Sequence, residues 1–429
     1  MKIQREKIGP IELVSIKTKR NIKIFGAYFS DFEPELQSAL GATLSRDPSS
    51  IKERLEKIIK NEKIKDRIMD VYFKKYGHNS IGDMGFYIFS VEGLSMKGAF
   101  HLLENQLFNG QEASTRYLDF SKMGYLPVNS EIDKYSEKMF KIYTKLEKDL
   151  QKYFVQSENL DPKEAEPKAF DIAGAFLPIS ARTNVFWVGS IRTYIGQIRK
   201  LNSLGEEEKE IGEAMEKIAE IITPHSIRKV GFDYLKEEIE FQQKLIKKEY
   251  RKNKKEIISF SAFDLKNFKS EIKGKIKNVN ALSYFGNINY FDELDFRSAR
   301  DIHRHRSFRL NTVVDFKAGK IEEFYLNQIP KEFRKEFEKE LKEMIKKLKK
   351  IEFGYYALPM AIKFPYTISG DLLAWLYFLN LRSGNKVHPT VISMVKKVGE
   401  KIEKKLGLKN IYQRNETDYS LRKNDKNKV

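Results

Sequence analysis

Two stretches of the chain carry the clearest helical periodicity, roughly 131–154 and 330–352. The second contains KEFRKEFEKELKEMIKKLKKIEF, where Glu and Lys at i, i+4 spacing mark a solvated face. After each comes a segment that opens on Leu-Pro: FLPISARTNVFWVGSIRTYIGQIRKL from 176 and ALPMAIKFPYTISGDLLAWLYFLNLRSG from 357. Both predict an aromatic or Thr-bearing turn followed by an apolar helix with Arg near its end. Amphipathic helices follow, EIGEAMEKIAEII and VISMVKKVGEKIEKKLG. Ahead of each long helix, GFYIFSVEG (85–93) and ALSYFGNINYF (281–291) predict strands. The order of elements repeats, so the pattern predicts a tandem duplication of an α+β unit, helix-rich, with helices packed on a small mixed or antiparallel sheet. The first unit is expected at 1–245 and the second at 259–420. A basic connection spans 246–258 around KKEYRKNKKEI, and a disordered tail covers 421–429.

Composition narrows the class. With 429 residues, 41% hydrophobic and 12% aromatic, the chain has material for two cores and is too apolar to be disordered. The start, MKIQREKIGPIELVSIK, has no apolar signal core, and no run is long enough to cross a bilayer, so a soluble cytoplasmic protein is expected. Lys and Arg number 79 against 60 Asp and Glu, a net charge of +19 that favours phosphorylated ligands or nucleic acid. Much of that excess is lysine on solvated helix faces. The chain has no cysteine, which excludes disulfides, thiolate metal sites and cysteine nucleophiles. Six histidines without His-x-x-x-His spacing give no metal site to expect.

Two short stretches stand out chemically. In DIHRHRSFRLN (301–311) and the residues before it, Arg297, Arg300, Arg304 and Arg306 recur at spacings of two to four. On a helix ending in a loop, several could converge on one anion, each guanidinium donating paired hydrogen bonds. The same residues could instead form ion pairs with Asp292, Glu293, Asp295 and Asp301. In NGQEASTRYLDF (109–120), Glu112, Ser114 and Arg116 alternate, so an extended segment would direct all three to one side. That row could grip a nucleotide, or it could cap the next element. Neither stretch decides alone.

Together they resemble the signature of flavin-dependent thymidylate synthases, here divided between the halves. Arg304, His305, Arg306 and Asn311 match the front of the motif; Glu112, Ser114, Arg116 and Tyr117 match the rear. The opposite ends are lost: Glu104, Asn105 and Gln106 stand in the Arg-His-Arg slot, and Thr312, Val314 and Phe316 stand where Glu, Ser and Arg belong. YGHNSIGD resembles the family's Gly-His segment, carrying over His78 and Asp83, and FLNLRSG resembles its Asn-Leu-Arg helix end, carrying over Arg382.

The resemblance implies a composite site between two diverged units. The flavin would lie against His78, Asp83, Arg304, His305, Arg306 and Asn311, and dUMP would be held by Glu112, Ser114, Arg116, Tyr117 and Arg382. It implies FAD and NADPH as cofactors and reductive methylation of dUMP to dTMP with methylenetetrahydrofolate. A homodimer of fused pseudo-dimers would resemble the family's tetramer. The flavin route needs no enzymatic thiolate, which agrees with the absence of cysteine. No catalytic acid, base or nucleophile is identified. Two rival readings stand beside this one. One is a diverged flavoprotein of the same fold acting on another nucleotide. The other is a non-catalytic nucleic-acid-binding protein, disfavoured because no stacking aromatics interleave the basic runs.

Overall fold

A computed structural model of the chain describes residues 2–44, 47–75, 78–107, 109–116, 118–227, 233–252, 257–261, 283, 286–312, 319–407 and 409–422. The chain begins with strands β1 (Ile3–Ile8), β2 (Ile11–Lys17) and β3 (Lys23–Phe29), then helices α1 (Pro34–Thr43), α2 (Ile51–Ile59) and α3 (Glu62–Ile68). Next come β4 (Phe86–Ser95), α4 (Met96–Leu103), β5 (Asn109–Glu112), α5 (Ser130–Ser157), α6 (Pro162–Ala173), β6 (Arg182–Ser190), α7 (Ile191–Asn202), α8 (Glu206–Ile222) and α9 (Asp233–Lys252). The remainder holds β7 (Ile257–Ser261), β8 (Asn287–Asp295), α10 (Phe296–Ile302), β9 (Arg309–Thr312), α11 (Glu323–Asn327), α12 (Lys331–Leu348), β10 (Lys363–Asp371), α13 (Leu372–Arg382) and α14 (Pro389–Leu406).

These elements form two compact units, and the units do not follow chain order. The first comprises residues 1–113 and 182–240; the second comprises 114–181 and 241–429. One boundary, at Glu240/Phe241, falls just before the connection expected at 246–258, and two more, at 113/114 and 181/182, fall inside the expected first unit. Helix α9 runs to Lys252, through the beginning of that basic segment, and residues 253–256 lie outside the described residues. The tail expected to be disordered lies outside them beyond Arg422.

The first unit carries an antiparallel sheet in the order β1-β2-β3-β4-β6-β5, and the second carries β7-β8-β10-β9. The run β3-β4-β6-β5 in one unit thus has the same order as the whole sheet of the other. Each β4-like or β6-like strand passes directly into a helix through a short polar cap. Ser95 and Asp295 accept from Gly98 and Ser298 N–H; Ser190 and Asp371 accept from Thr193 and Ala374 N–H. These caps satisfy helix donors at the corners and make the strand-to-helix turns sharp.

The segments expected as turns after Leu-Pro are strands, β6 and β10. In β6, Thr183, Val185 and Trp187 are buried while Asn184 and Phe186 are exposed, a period of two that its short length and neighbouring helix obscure in sequence. A bulge between Glu92 and Leu94 is made by Gly93 at φ +75°, a left-handed conformation that favours glycine.

In the first unit α8 covers one face of the sheet, and Trp187, Tyr87, Phe89 and Tyr194 interlock beneath α7. The second unit's core is built on Trp375, Phe308, Phe378, Tyr290 and Tyr366, with Trp375 Nε1 donating to the Ile288 carbonyl at 3.0 Å. Gly26 sits where β3 meets α8. A Cβ there would lie 2.4 Å from Ile218 Cγ2 and 2.7 Å from Ile222 Cδ1. Gly26→Ala is therefore expected to destabilise the first unit by about 1–3 kcal/mol, read as a lower denaturant midpoint.

Candidate functional site

The second unit collects charged side chains around the start and end of its strand–helix corners. Asp295 caps α10 and is fully buried; burial pushes its carboxyl up to about 6, against hydrogen bonds from Ser298 and Tyr325. Arg297 and Arg300 lie on the buried face of α10. The turn that follows carries His303, Arg304, His305 and Arg306, of which His305 is buried, Arg304 half-buried and Arg306 exposed. The sequence expectation of a helix ending in a cationic loop matches this local structure.

Arg382, at the end of α13, closes on that turn. Its Nε donates to His305 Nε2 at 2.7 Å, and its Nη2 donates to the Asp301 carbonyl at 2.7 Å. A ring nitrogen that accepts from a guanidinium carries no proton, so His305 is neutral with its proton on Nδ1. Burial and the Arg382 charge both depress it, to about 3. Asp301 is pulled the other way: burial raises its carboxyl, but Arg382, Arg116 and Arg304 outweigh this and hold it below the usual range.

Arg116 arrives from the earlier stretch. It lies in a turn, since β5 ends at Glu112 and the extended row expected there stops with it. Its Nε and Nη2 donate to the two oxygens of Asp171 at 2.9 Å each, and Nη1 donates to the Lys386 carbonyl at 2.9 Å. Ser114 Oγ accepts from Arg116 N–H at 3.3 Å. Burial works against the Arg116 charge, yet Asp171 holds its pKa above the ordinary value. Asp171 is inaccessible to solvent, and its carbonyl also accepts from Arg297 Nη1 at 2.6 Å. His388, the cap of α14, has Nδ1 2.7 Å from Thr390 Oγ1 and Nε2 3.4 Å from the Asp171 carbonyl; burial drives it down to about 3. Among the described residues, Arg116, Arg297, Arg304 and Arg382 outnumber Asp171 and Asp301, with the imidazoles of His305 and His388 neutral. The arrangement can hold an anion.

Of the residues singled out in sequence, Ser114, Arg116, Arg304, His305, Arg306 and Arg382 all belong to this unit. Asn311 lies on β9 opposite Thr367, its side chain outside what is described. Tyr117 is outside the described residues. Glu112, buried at the end of β5, belongs to the first unit, as do exposed His78 and half-buried Asp83, the last paired with Arg192 at 2.8 Å. Sequence reasoning missed Asp171, although a lone acid in the apolar run AFDIAG is a legible sign of a buried ion pair. It also missed Tyr377, which is 59% exposed with its ring 6.3 Å from that of His305.

Residues 30–225 match a protein-family model described as "Thymidylate synthase complementing protein". A flavin-dependent thymidylate synthase from Clostridium tetani (strain Massachusetts / E88) is 26% identical over 176 residues, which is 39% of this chain and 69% of that protein. Over the matched residues the chain is thus similar to the flavin-dependent thymidylate synthases. Among the described residues no helix is long and apolar enough to cross a membrane.

Two outcomes test the electrostatics. Arg116→Ala removes the paired contact from a buried carboxylate that Arg297 Nη2 meets only at 3.5 Å, and should lower stability by about 3 kcal/mol in denaturant titration. His305 and His388 have folded pKa values below the unfolded 6.5. Their contribution to stability is thus complete above pH 6.5 and lost as pH falls toward 3, with a slope of about 1.4 kcal/mol per pH unit for each ring. Asp295, raised from 3.8 to about 6, acts oppositely and costs stability as pH rises through that window. Melting curves across pH 4–7 should flatten in His388→Gln, and an unchanged slope would contradict the assignment.

Proposed function

We propose that the chain is an FAD-dependent, thymidylate synthase-like enzyme that reductively methylates dUMP to dTMP using methylenetetrahydrofolate and NADPH. The observation that carries this is the convergence, in one compact unit, of Arg116 from the first half with Arg304, His305 and Arg382 from the second. The charges of all three arginines act on one carboxylate, Asp301. Two sequence motifs, each incomplete, thereby supply one cationic centre.

The donor set suits a phosphate-bearing flavin and a pyrimidine monophosphate. Arg304, Arg306 and Asn311 are assigned to the flavin side with His305, whose neutral ring offers a face and an Nδ1–H instead of a competing charge. Arg382 and Ser114 are assigned to dUMP, with Arg116 set beside them by Asp171. Glu112 and Tyr117, and His78 and Asp83 on the flavin side, complete the assignment on family resemblance. When bound, the flavin supplies the hydride and carries the one-carbon transfer. The protein's share is orientation and electrostatics: fixed guanidiniums polarise the bound nucleotide and hold it in register. No general base is assigned.

The shared strand order of the two sheets, the Leu177-Pro178 and Leu358-Pro359 starts, and the matching Ser and Asp caps support an origin by duplication. On that reading a homodimer of fused pseudo-dimers in the cytoplasm is the working assembly. One observation favours the second reading, a diverged flavoprotein acting on a different nucleotide. Three of the five N–H groups of the Arg116 guanidinium donate to protein oxygens, which leaves at most two for a phosphate.

Purified protein should be yellow, with visible flavin bands, and dUMP should accelerate NADPH oxidation. Arg304→Ala should lose flavin. Arg116→Lys, which keeps the charge but not the paired geometry, should weaken dUMP binding about 10-fold with flavin retained. A flavoprotein indifferent to dUMP would select the second reading; a colourless protein that binds RNA in a salt-sensitive way would defeat both.

A further inference from the structure

The first unit contains a joint built like that of the cationic centre but with the opposite charge balance. In the second unit the segment after α10 docks on α13 through Arg382 and His305. In the first, the segment after α4 docks on α7 through Lys200, whose Nζ bonds Glu104 Oε2 at 2.7 Å and the Glu104 carbonyl at 3.0 Å. Asn105 donates to Gln197 Oε1 at 3.2 Å, and Gln197 Nε2 donates back to the carbonyls of His101 and Leu102 at 2.8 and 3.1 Å. Glu104 and Asn105 occupy the slots that Arg304 and His305 fill in the other half. A cation paired with a neutral ring is thus replaced by an acid–base pair.

The α4 cation Lys97 is neutralised as well, and from inside. Glu208, fully buried at the start of α8, lies 2.5 Å from Lys97 Nζ and 2.7 Å from His101 Nδ1. Burial raises its carboxyl, but Lys97 and His101 overcome that and keep it ionised. Glu207 beside it accepts from Ser95 N–H at 2.8 Å and Ser95 Oγ at 2.6 Å. Gly98 packs so tightly here that a Cβ would fall 2.5 Å from Glu207 Oε1. A buried carboxylate already in contact with Lys97 leaves an incoming phosphate to displace it at the full cost of desolvating both.

We propose that, of these two corresponding joints, the one in the second unit binds phosphate, and that the joint of the first unit is closed by the chain's own anions, Glu104 and Glu208. This rests on the family reading above for the identity of the ligand, not for the charge asymmetry. The asymmetry follows from the distances alone. It also gives the complementary loss of motif ends a physical form: where the Arg-His-Arg slot decayed, carboxylates took the place of ligand oxygens.

Calorimetric titration with inorganic pyrophosphate, the diphosphate chemistry that Arg304 would meet in a flavin dinucleotide, tests it on the full chain. One equivalent per chain is expected. Arg304→Ala should weaken it by about 10-fold or more. Lys200→Ala, which removes the cation of the closed joint, should leave stoichiometry and affinity unchanged. Two equivalents per chain, a loss of binding in Lys200→Ala, indifference to Arg304→Ala or no binding at all would each overturn the proposal. FAD and dUMP are then titrated separately. If pyrophosphate binds once per chain through Arg304 while neither nucleotide binds, the family reading of the ligand falls and the one-centre inference stands.

Discussion

The Asp171 carboxylate is the constraint on which the second unit's chemistry depends. It is buried without solvent contact, so it must be matched by cation, and Arg116 supplies a paired, charge-assisted contact with both oxygens at 2.9 Å. Its carbonyl is used too, by Arg297 and His388. One residue at the end of α6 thereby fastens the Ser114–Arg116 turn, the first turn of α10, the cap of α14 and, through Arg116, the Lys386 backbone. The surrounding charges are then arranged around a fixed point instead of being free to collapse onto one another.

Neutral histidines are the second part of that arrangement. His305 and His388 each sit among guanidiniums, and each is kept uncharged by burial and by those neighbours. A protonated ring at either place would add repulsion to an already cationic centre. As neutral groups they orient Arg382 and the start of α14 at no electrostatic cost.

Much of this was legible in the chain. The long helices at 131–154 and 330–352 appear as α5 and α12, and the strand at 85–93 appears as β4, because each has strong periodicity and clear polar boundaries. The cationic turn after α10 was legible because Arg-His-Arg has no use on a simple solvated helix. β6 and β10 were not, since a central strand of nine residues that runs straight into a helix has no turn residues to mark it. The role of Asp171 was hidden for a different reason. Its partners lie 55 and 126 positions away, and no local pattern reports a contact of that range. The grouping of 114–181 with the later half was hidden likewise, because the order of elements along a sequence does not report which faces pack together.

That discontinuity bears on how the protein is made. During synthesis α5 and α6 emerge from the ribosome well before α10 to α14, yet they are destined for the same core. Until the later half is translated, Asp171 lacks Arg297, and the apolar stripe of α5, including Met139, Tyr143, Leu150 and Phe154, lacks its final surroundings. The first unit is also interrupted, by the insertion of that waiting segment between β5 and β6. Biogenesis of this chain is therefore expected to be strongly post-translational, with a nascent stage in which a sticky helical hairpin must be kept from other molecules until its counterpart arrives.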